Sequence, residues 1–340
     1  MRRSDRPPST LVPVGGELTD GFGRVHRDLR ISVTDRCNFR CRYCMPAEGL
    51  EWLPRDGLLS FEEISRVASL VVERFGIRSI RLTGGEPTVR AKLPDLVRLL
   101  SPLPVDLALT TNGATLRLLA AELAEAGLGR INVSLDSLRR DRFEELTLRD
   151  GLARVLDGIE AALAAGLSPV KVNVVVMRGV NDDELVDFAR FGRELGITVR
   201  FIEFMPLDAE EAWSEAAVVS QEEILATIGA VYPLEPPARS NAPATRFRYM
   251  DGGGEIGVVA SVTQSFCDSC DRIRLTADGQ FRNCLFATEE FDLRGLLRSG
   301  ASDDEVADLV ERAVAAKWAG HGIGRVDFIR PARSMSQIGG

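Results

Sequence analysis

The chain has 340 residues, 45% of them hydrophobic, and 42 Lys and Arg against 50 Asp and Glu give it a formal charge of −8. That length predicts about two domains at ~150 residues each, and the acidic balance argues against a protein that grips nucleic acid with a basic surface, though not against a local basic pocket. No apolar run approaches the ~20 residues that span a bilayer, and the opening MRRSDRPPST has no hydrophobic leader, so a cytoplasmic protein without membrane or nucleic-acid partners is expected.

Residues 1–20 are rich in Pro, Gly and Arg and read as a flexible N-terminal extension. Beyond them, short apolar strands alternate with longer helical patterns. Strands are predicted at Leu29–Val33, Ser79–Thr83, Val105–Thr110, Arg130–Leu135, Val170–Val176 and Thr198–Phe204. Helical periodicity lies between them, as at Phe61–Phe75, Leu152–Ala165 and Asp183–Leu195. A succession of six β–α units implies an α/β fold with a parallel sheet curling through right-handed crossovers. Six strands rather than eight give an incomplete (βα)6 barrel of TIM type.

The faces of these strands carry more information. Strands of a parallel sheet covered on both faces read as continuous apolar runs. Here Leu29, Ile31 and Val33 alternate with Arg30, Ser32 and Thr34, and Ile80 and Leu82 with Arg81 and Thr83. Leu107 and Leu109 oppose Asp106 and Thr110; Ile131, Val133 and Leu135 oppose Asn132, Ser134 and Asp136; the valines from Val170 to Val176 oppose Lys171 and Asn173. The apolar face must meet the helices, so the inner face is polar and the barrel is built around a polar ligand. Lys171 and Arg200 lie inside apolar strands, where an unpaired cation costs several kcal/mol. Either Asp136 or Glu203 neutralises them, or an anionic ligand does; with Arg30 and Arg81 they make four cations, suited to a triphosphate.

At the mouth of the barrel stand the chemistry-bearing loops. After the first strand comes Cys37, Cys41 and Cys44 in the run CNFRCRYC, spaced C-x3-C-x2-C, with Tyr43 beside the last thiol. Three thiolates on so short a loop hold three corners of a cubane iron–sulfur cluster and leave the fourth iron open for chemistry. A zinc knuckle wants a fourth ligand, and neither His26 nor His321 has the spacing to supply it. Gly84-Gly85-Glu86-Pro87 follows the second strand, where its backbone and Glu86 are candidates to receive an amino group. Thr110-Thr111-Asn112-Gly113 and Ser134-Leu135-Asp136 end the third and fourth strands and add hydroxyls and amides to the ring.

From about residue 241 the texture changes to short strand-like pieces with DGGG and ADGQ turns. A second triplet, Cys267, Cys270 and Cys284, spaced C-x2-C-x13-C, again lacks an obvious fourth ligand, which leaves an iron–sulfur cluster or a zinc site completed by another residue. Arg272 and Arg274 follow on one face of an extended segment. A helical stretch at Asp303–Trp318 precedes a tail ending in Gly339-Gly340, thin enough to thread into a cavity. The organisation read here is a core over 21–240, a smaller iron–sulfur domain over 241–330 and a tail over 331–340.

The first triplet with GGEP resembles the radical S-adenosylmethionine (SAM) superfamily. The strings RDLRISVTDRCNFRCRYCMP, IRLTGGEPTVR, LTTNG, RINVSLDSL, VKVNVVVMRGVNDDE, VRFIEFMP, SFCDSCDRIRLTADGQFRNCLF and the final GG resemble one family within it, the GTP 3′,8-cyclases, across about residues 22–340. The resemblance implies two [4Fe–4S] clusters, one on Cys37, Cys41 and Cys44 whose open iron chelates SAM, the other on Cys267, Cys270 and Cys284 whose open iron meets guanine. It implies SAM contacts from Tyr43, Gly85, Ser134 and Met205, and GTP contacts from Arg30, Arg81, Thr110, Lys171, Arg272, Ile273 and Arg274. It further implies that Gly339, Gly340, Arg272 and Arg274 take part in catalysis. The expected reaction begins with reductive cleavage of SAM; the resulting 5′-deoxyadenosyl radical removes the ribose 3′ hydrogen of GTP, and the sugar radical closes on C8. A reductant protein such as flavodoxin or ferredoxin, delivery of product to cyclic pyranopterin monophosphate synthase, and a monomer or homodimer are expected with it. The rival readings are another twin-cluster radical SAM enzyme with a different substrate, and a non-catalytic protein with zinc in both triplets.

Overall fold

A computed structural model of the protein describes residues 16–207, 213–237, 243–326 and 328–339. Gly340 and residues 1–15 of the expected extension lie outside the described residues. The core runs β1 (Asp28–Ser32), α1 (Phe61–Phe75), β2 (Ser79–Thr83), α2 (Leu93–Leu100), β3 (Asp106–Thr111), α3 (Leu116–Ala126), β4 (Arg130–Ser134), α4 (Arg140–Thr147), α5 (Leu152–Ala164), β5 (Val170–Val176), α6 (Leu185–Leu195), β6 (Thr198–Glu203) and α7 (Gln221–Gly229). β1 to β6 pair in chain order and in parallel.

The helices form where local signals agree. In α1, Ser60 and Glu63 cap each other's backbone N–H, and Gly76 ends the helix in the left-handed region at φ 69°. Its Ile64, Val67, Ala68, Val71 and Phe75 fall on one stripe and are all buried against the sheet.

β1 and β6 do not meet, so the barrel stays open. The later strands, β7 (Thr245–Arg248), β8 (Glu255–Val259), β9 (Arg272–Leu275), β10 (Gln280–Arg282) and β11 (Phe291–Asp292), join its two edges: β8 runs parallel beside β6, and β9 parallel beside β1. One continuous sheet of eleven strands results, in the order β11-β10-β9-β1-β2-β3-β4-β5-β6-β8-β7. Three helices complete the chain, α8 (Leu293–Arg298), α9 (Asp303–Ala315) and α10 (Met335–Ile338). Covering both edges of a parallel sheet removes the unpaired N–H and C=O groups an open barrel would expose.

The apolar strand residues lie outward in a single core shared with the helices. In β5 the valines Val170, Val172, Val174 and Val176 are buried, while Lys171, Asn173 and Val175 of the opposite face stay partly accessible. The interior is therefore a polar chamber and not a filled core.

Candidate active site between two thiol triplets

Cys37, Cys41 and Cys44 lie on the loop that follows β1. Phe39 anchors that loop, packed edge-on against Phe143 of α4 with ring centroids 5.7 Å apart. Cys44 and Met45 both donate backbone N–H groups to the Cys41 carbonyl, which turns the loop back on itself. Arg40 closes the turn from outside by donating to the carbonyls of Cys37 and Phe39, each at 2.8 Å. Burial pushes the Cys37 thiol up to about 11 and Cys44 to about 12. Burial thus disfavours the bare thiolates, which a bound metal favours. All three are free and partly accessible.

Gly84 and Gly85 are explained by close approach. A Cβ on Gly85 would sit 2.4 Å from the Arg36 carbonyl oxygen and 2.5 Å from that of Asp35. Gly85 N–H donates to Thr34 O, and Glu86 N–H to Arg36 O, both at 2.7 Å. The GGEP turn thus holds the root of the cysteine loop against β2.

Glu86 is fixed by its neighbours. Its carboxylate is 1% exposed, accepting from Thr88 N–H at 3.0 Å, Thr111 Oγ1 at 2.6 Å and Asn112 N–H at 2.6 Å. These bonds knit the loops after β2 and β3, and because Oε2 accepts only from Asn112 N–H it keeps a lone pair for a further donor. Asn112 carries the tie onward, its amide reaching Asn38 Oδ1 at 2.8 Å and Cys37 Sγ at 3.8 Å.

Tyr43 donates to Asp136 Oδ2 at 2.6 Å, and the other Asp136 oxygen accepts from Val175 N–H at 2.8 Å. Burial raises the Asp136 carboxyl to about 6, against those two hydrogen bonds. Ser134 ends β4 just before it, Gly85 lies across the mouth, and Met205 follows β6 beside Phe204, which packs with Tyr43.

The register of the sheet assembles the cations. Arg274 of β9 is level with Arg30 of β1, which is level with Arg81 of β2, so three guanidinium stems stand on adjacent strands at ~4.8 Å spacing. Across the chamber, Lys171 is level with Asn132, whose amide reaches Thr110 Oγ1 at 3.4 Å, and Arg200 is level with Asn173. The two carboxylates considered as partners are committed elsewhere. Asp136 serves Tyr43, and Glu203 accepts from the backbone N–H groups of Gln221, Val262 and Thr263. Among the described residues, none of Arg30, Arg81, Lys171, Arg200, Arg272 and Arg274 forms an ion pair with a carboxylate. The buried Nε atoms of Arg30, Arg81, Arg272 and Arg274 have no hydrogen-bond partner. Burial first, then Arg81 and Arg272, draw Arg30 down to about 9; burial, then Arg200 and Arg130, draw Lys171 to about 8. Like charges crowded in a low-dielectric chamber suit a polyanion.

Ile273 lies between the two arginines on the other face of β9, fully buried in the core. Its side chain therefore does not line the chamber, which leaves its backbone for the expected contact.

The second triplet is gathered by a hairpin. Cys267 and Cys270 precede β9 and Cys284 follows β10, and the antiparallel pairing of these strands, with Arg282 level with Arg274, returns Cys284 to the end where Cys270 begins. Because β9 is parallel to β1, this triplet lies at the opposite end of the chamber from the first, with the arginines between. Three residues that sequence reasoning did not single out hold it. Arg24 donates to Cys267 O at 2.8 Å and pairs with buried Asp20 at 2.6 Å. Lys317 donates to Arg272 O at 2.8 Å and reaches Cys270 Sγ at 3.7 Å. None of these positions carries a motif, and only the distant pairing of chain segments reveals them. Burial opposes ionisation of Cys270, but Arg272 and Lys317 outweigh it and bring the thiol down to about 7.

These donor sets fit iron–sulfur clusters. Among the described residues no three Cys, His, Asp or Glu groups converge on one ion, and a cubane, which offers each thiolate its own iron, does not require them to.

The tail enters the chamber. A Cβ on Gly339 would lie 3.0 Å from both Ser32 Cβ of β1 and Thr83 Cγ2 of β2. The Ser336 backbone amide hydrogen-bonds the Cys44 thiol.

Comparison with known proteins agrees with this architecture. The radical SAM superfamily model matches residues 31–192, and the Molybdenum Cofactor Synthesis C model matches residues 197–323. GTP 3′,8-cyclase of Rhodopirellula baltica is 47% identical over 345 residues, covering 99% of this chain and 96% of its own. GTP 3′,8-cyclase 2 of Mycobacterium bovis is 50% identical over 340 residues, covering 97% and 94%. Among solved structures, Streptococcus suis SuiB bound to S-adenosylmethionine shares the fold at a TM-score of 0.58 and 12% identity, over 91% of this chain and 77% of that one. Native anSMEcpe with bound AdoMet does so at 0.57 and 15%, over 84% and 80%. The chain belongs to the GTP 3′,8-cyclase family of the radical SAM superfamily.

Proposed function

We propose that the cation-lined chamber between the two triplets is where GTP is held and cyclised. The reaction is the conversion of GTP to (8S)-3′,8-cyclo-7,8-dihydroguanosine 5′-triphosphate, the first step of molybdenum cofactor biosynthesis, with two [4Fe–4S] clusters and SAM as cofactors. Cys37, Cys41 and Cys44 would hold the first cluster, which would supply the electron for reductive cleavage of SAM.

The residues divide the remaining work. Arg30, Arg81, Lys171 and Arg200 neutralise the triphosphate, with Thr110 as a hydroxyl partner. Arg272 and Arg274 place the base end near the second triplet, on Cys267, Cys270 and Cys284. Tyr43, Gly85, Ser134 and Met205 form the SAM side of the mouth. Gly339 fills the space beside Ser32 and Thr83 and excludes water from the reacting carbons. In this reading 21–240 form the core, 241–330 present the second cluster and 331–340 form the closing tail. A flavodoxin- or ferredoxin-type donor supplies electrons, and the product passes to cyclic pyranopterin monophosphate synthase, in the cytoplasm.

The observation that carries the reading is the in-register row Arg274, Arg30, Arg81, whose buried Nε atoms have no hydrogen-bond partner and whose guanidinium groups form no ion pair with a carboxylate among the described residues. Anaerobic protein with GTP, SAM and reductant is expected to yield the 3′,8-cyclised nucleotide and 5′-deoxyadenosine. Cleavage of SAM with GTP left unmodified would assign the chamber to another substrate.

A further inference from the structure

The tail's last four described residues enter the chamber, and α10 is a single turn capped by Ser334 and Gln337 that depends on its surroundings. Ser336 and Ile338 are each 1% exposed, and one turn of helix does not sustain itself in water. Just before it stands Arg333, whose guanidinium grips two carboxylates at once. It meets Asp278 through two nitrogens at 3.0 and 2.8 Å. It meets Glu290 through Nε at 2.7 Å and a terminal nitrogen at 2.8 Å. Both acids are mostly buried, at 13% and 22% side-chain exposure. Glu290 also pairs with Arg282 of β10, and Asp278, in the turn between β9 and β10, accepts from Thr276 Oγ1. Two cations and two anions make a neutral quartet, and doubly bidentate guanidinium pairing fixes direction as well as charge.

We propose that Arg333 is a positioning residue: its fork onto Asp278 and Glu290 latches the tail to the β9–β10 hairpin, so that the strand presenting Arg272 and Arg274 and the segment presenting Gly339 are held as one unit. This rests on the reading that the tail acts inside the chamber. Asp278 and Glu290 keep their own partners on the hairpin when Arg333 is lost, so the latch releases the tail without unfolding the hairpin.

The test is hydrogen–deuterium exchange of the cluster-loaded enzyme, paired with steady-state kinetics, for R333Q and, from the other side, D278N. Expected are at least a tenfold faster exchange of the 334–339 amides, unchanged exchange over 272–282, wild-type iron content, and a fall of at least tenfold in kcat for cyclisation with a smaller change in KM for GTP. R333K, which keeps one charge but not the fork, is expected to fall between. Wild-type tail exchange in R333Q overturns the latch, and so does loosening of 272–282 together with the tail, which would make Arg333 a hairpin residue. Deleting Gly339 and Gly340 separates the two readings: full activity without them refutes the tail's role in the chamber, whereas lost activity with unchanged tail exchange in R333Q refutes the latch alone.

Discussion

Lys171 shows how much one side chain reports. In sequence it is a cation in a run of valines; in the structure it faces the chamber among Arg200 and Arg130, partly buried, with its amine drawn down to about 8. A base depressed in this way is charged below that pH and loses its proton as pH rises through it. Triphosphate favours the charged form, so GTP affinity should fall by up to about tenfold per pH unit above 8, with proton uptake on binding. Calorimetry of the anaerobic enzyme from pH 7 to 9.5 checks this. K171R, whose guanidinium holds its proton to higher pH than the amine, should move the fall to higher pH, and an identical profile in K171R would remove Lys171 from the triphosphate site. The polar alternation of the strands made this face legible, because strand period alone assigns sides. Glu86 is the converse case: a carboxylate in a turn shows its charge in sequence but not the four hydrogen bonds that fix it between two loops.

Among elements, strands and capped helices were the most legible. Ser79–Thr83, Val170–Val176 and Phe61–Phe75 have the boundaries that periodicity and capping specify, and others differ by one to three residues at frayed ends, the most at α9, which stops at Ala315 where Trp318 was expected. The helix expected over Asp183–Leu195 begins as a 3-10 turn at Asp182–Glu184, since the acids there bond neighbours and loops before the regular helix starts. The GGEP turn is the element on which the first triplet depends most. G85A forces a methyl group into the carbonyls of Asp35 and Arg36, so the cysteine loop must shift from its seat. A loss above about 3 kcal/mol is expected, measured by denaturant unfolding of the apoprotein, together with failure to load the first cluster. Near-wild-type stability in G85A would show that the approach is relaxed in solution.

At the scale of the molecule, the sequence pattern implied a barrel and a second cysteine site but not their connection. Which strands sit next to which edge is written in no single segment; β8 and β9 reach β6 and β1 through contacts between residues far apart in the chain. The consequences are functional. Placing β9 beside β1 sets Arg274 level with Arg30, and its parallel direction puts the second triplet at the far end of the chamber from the first. Arg24 and Lys317, which seat that triplet, come from opposite ends of the chain and were invisible for the same reason. The 47–50% identity to GTP 3′,8-cyclases extends over nearly the full length, so the kinship rests on the whole chain and not on one motif.

The central claim is that radical chemistry starts at one end of this chamber on a nucleotide gripped from the other. Single-turnover reaction of the anaerobic enzyme with GTP deuterated at the ribose 3′ carbon tests it most directly. One deuterium recovered in 5′-deoxyadenosine, with the cyclised product lacking it, is the predicted result. Unlabelled 5′-deoxyadenosine alongside GTP that keeps its deuterium would contradict the account.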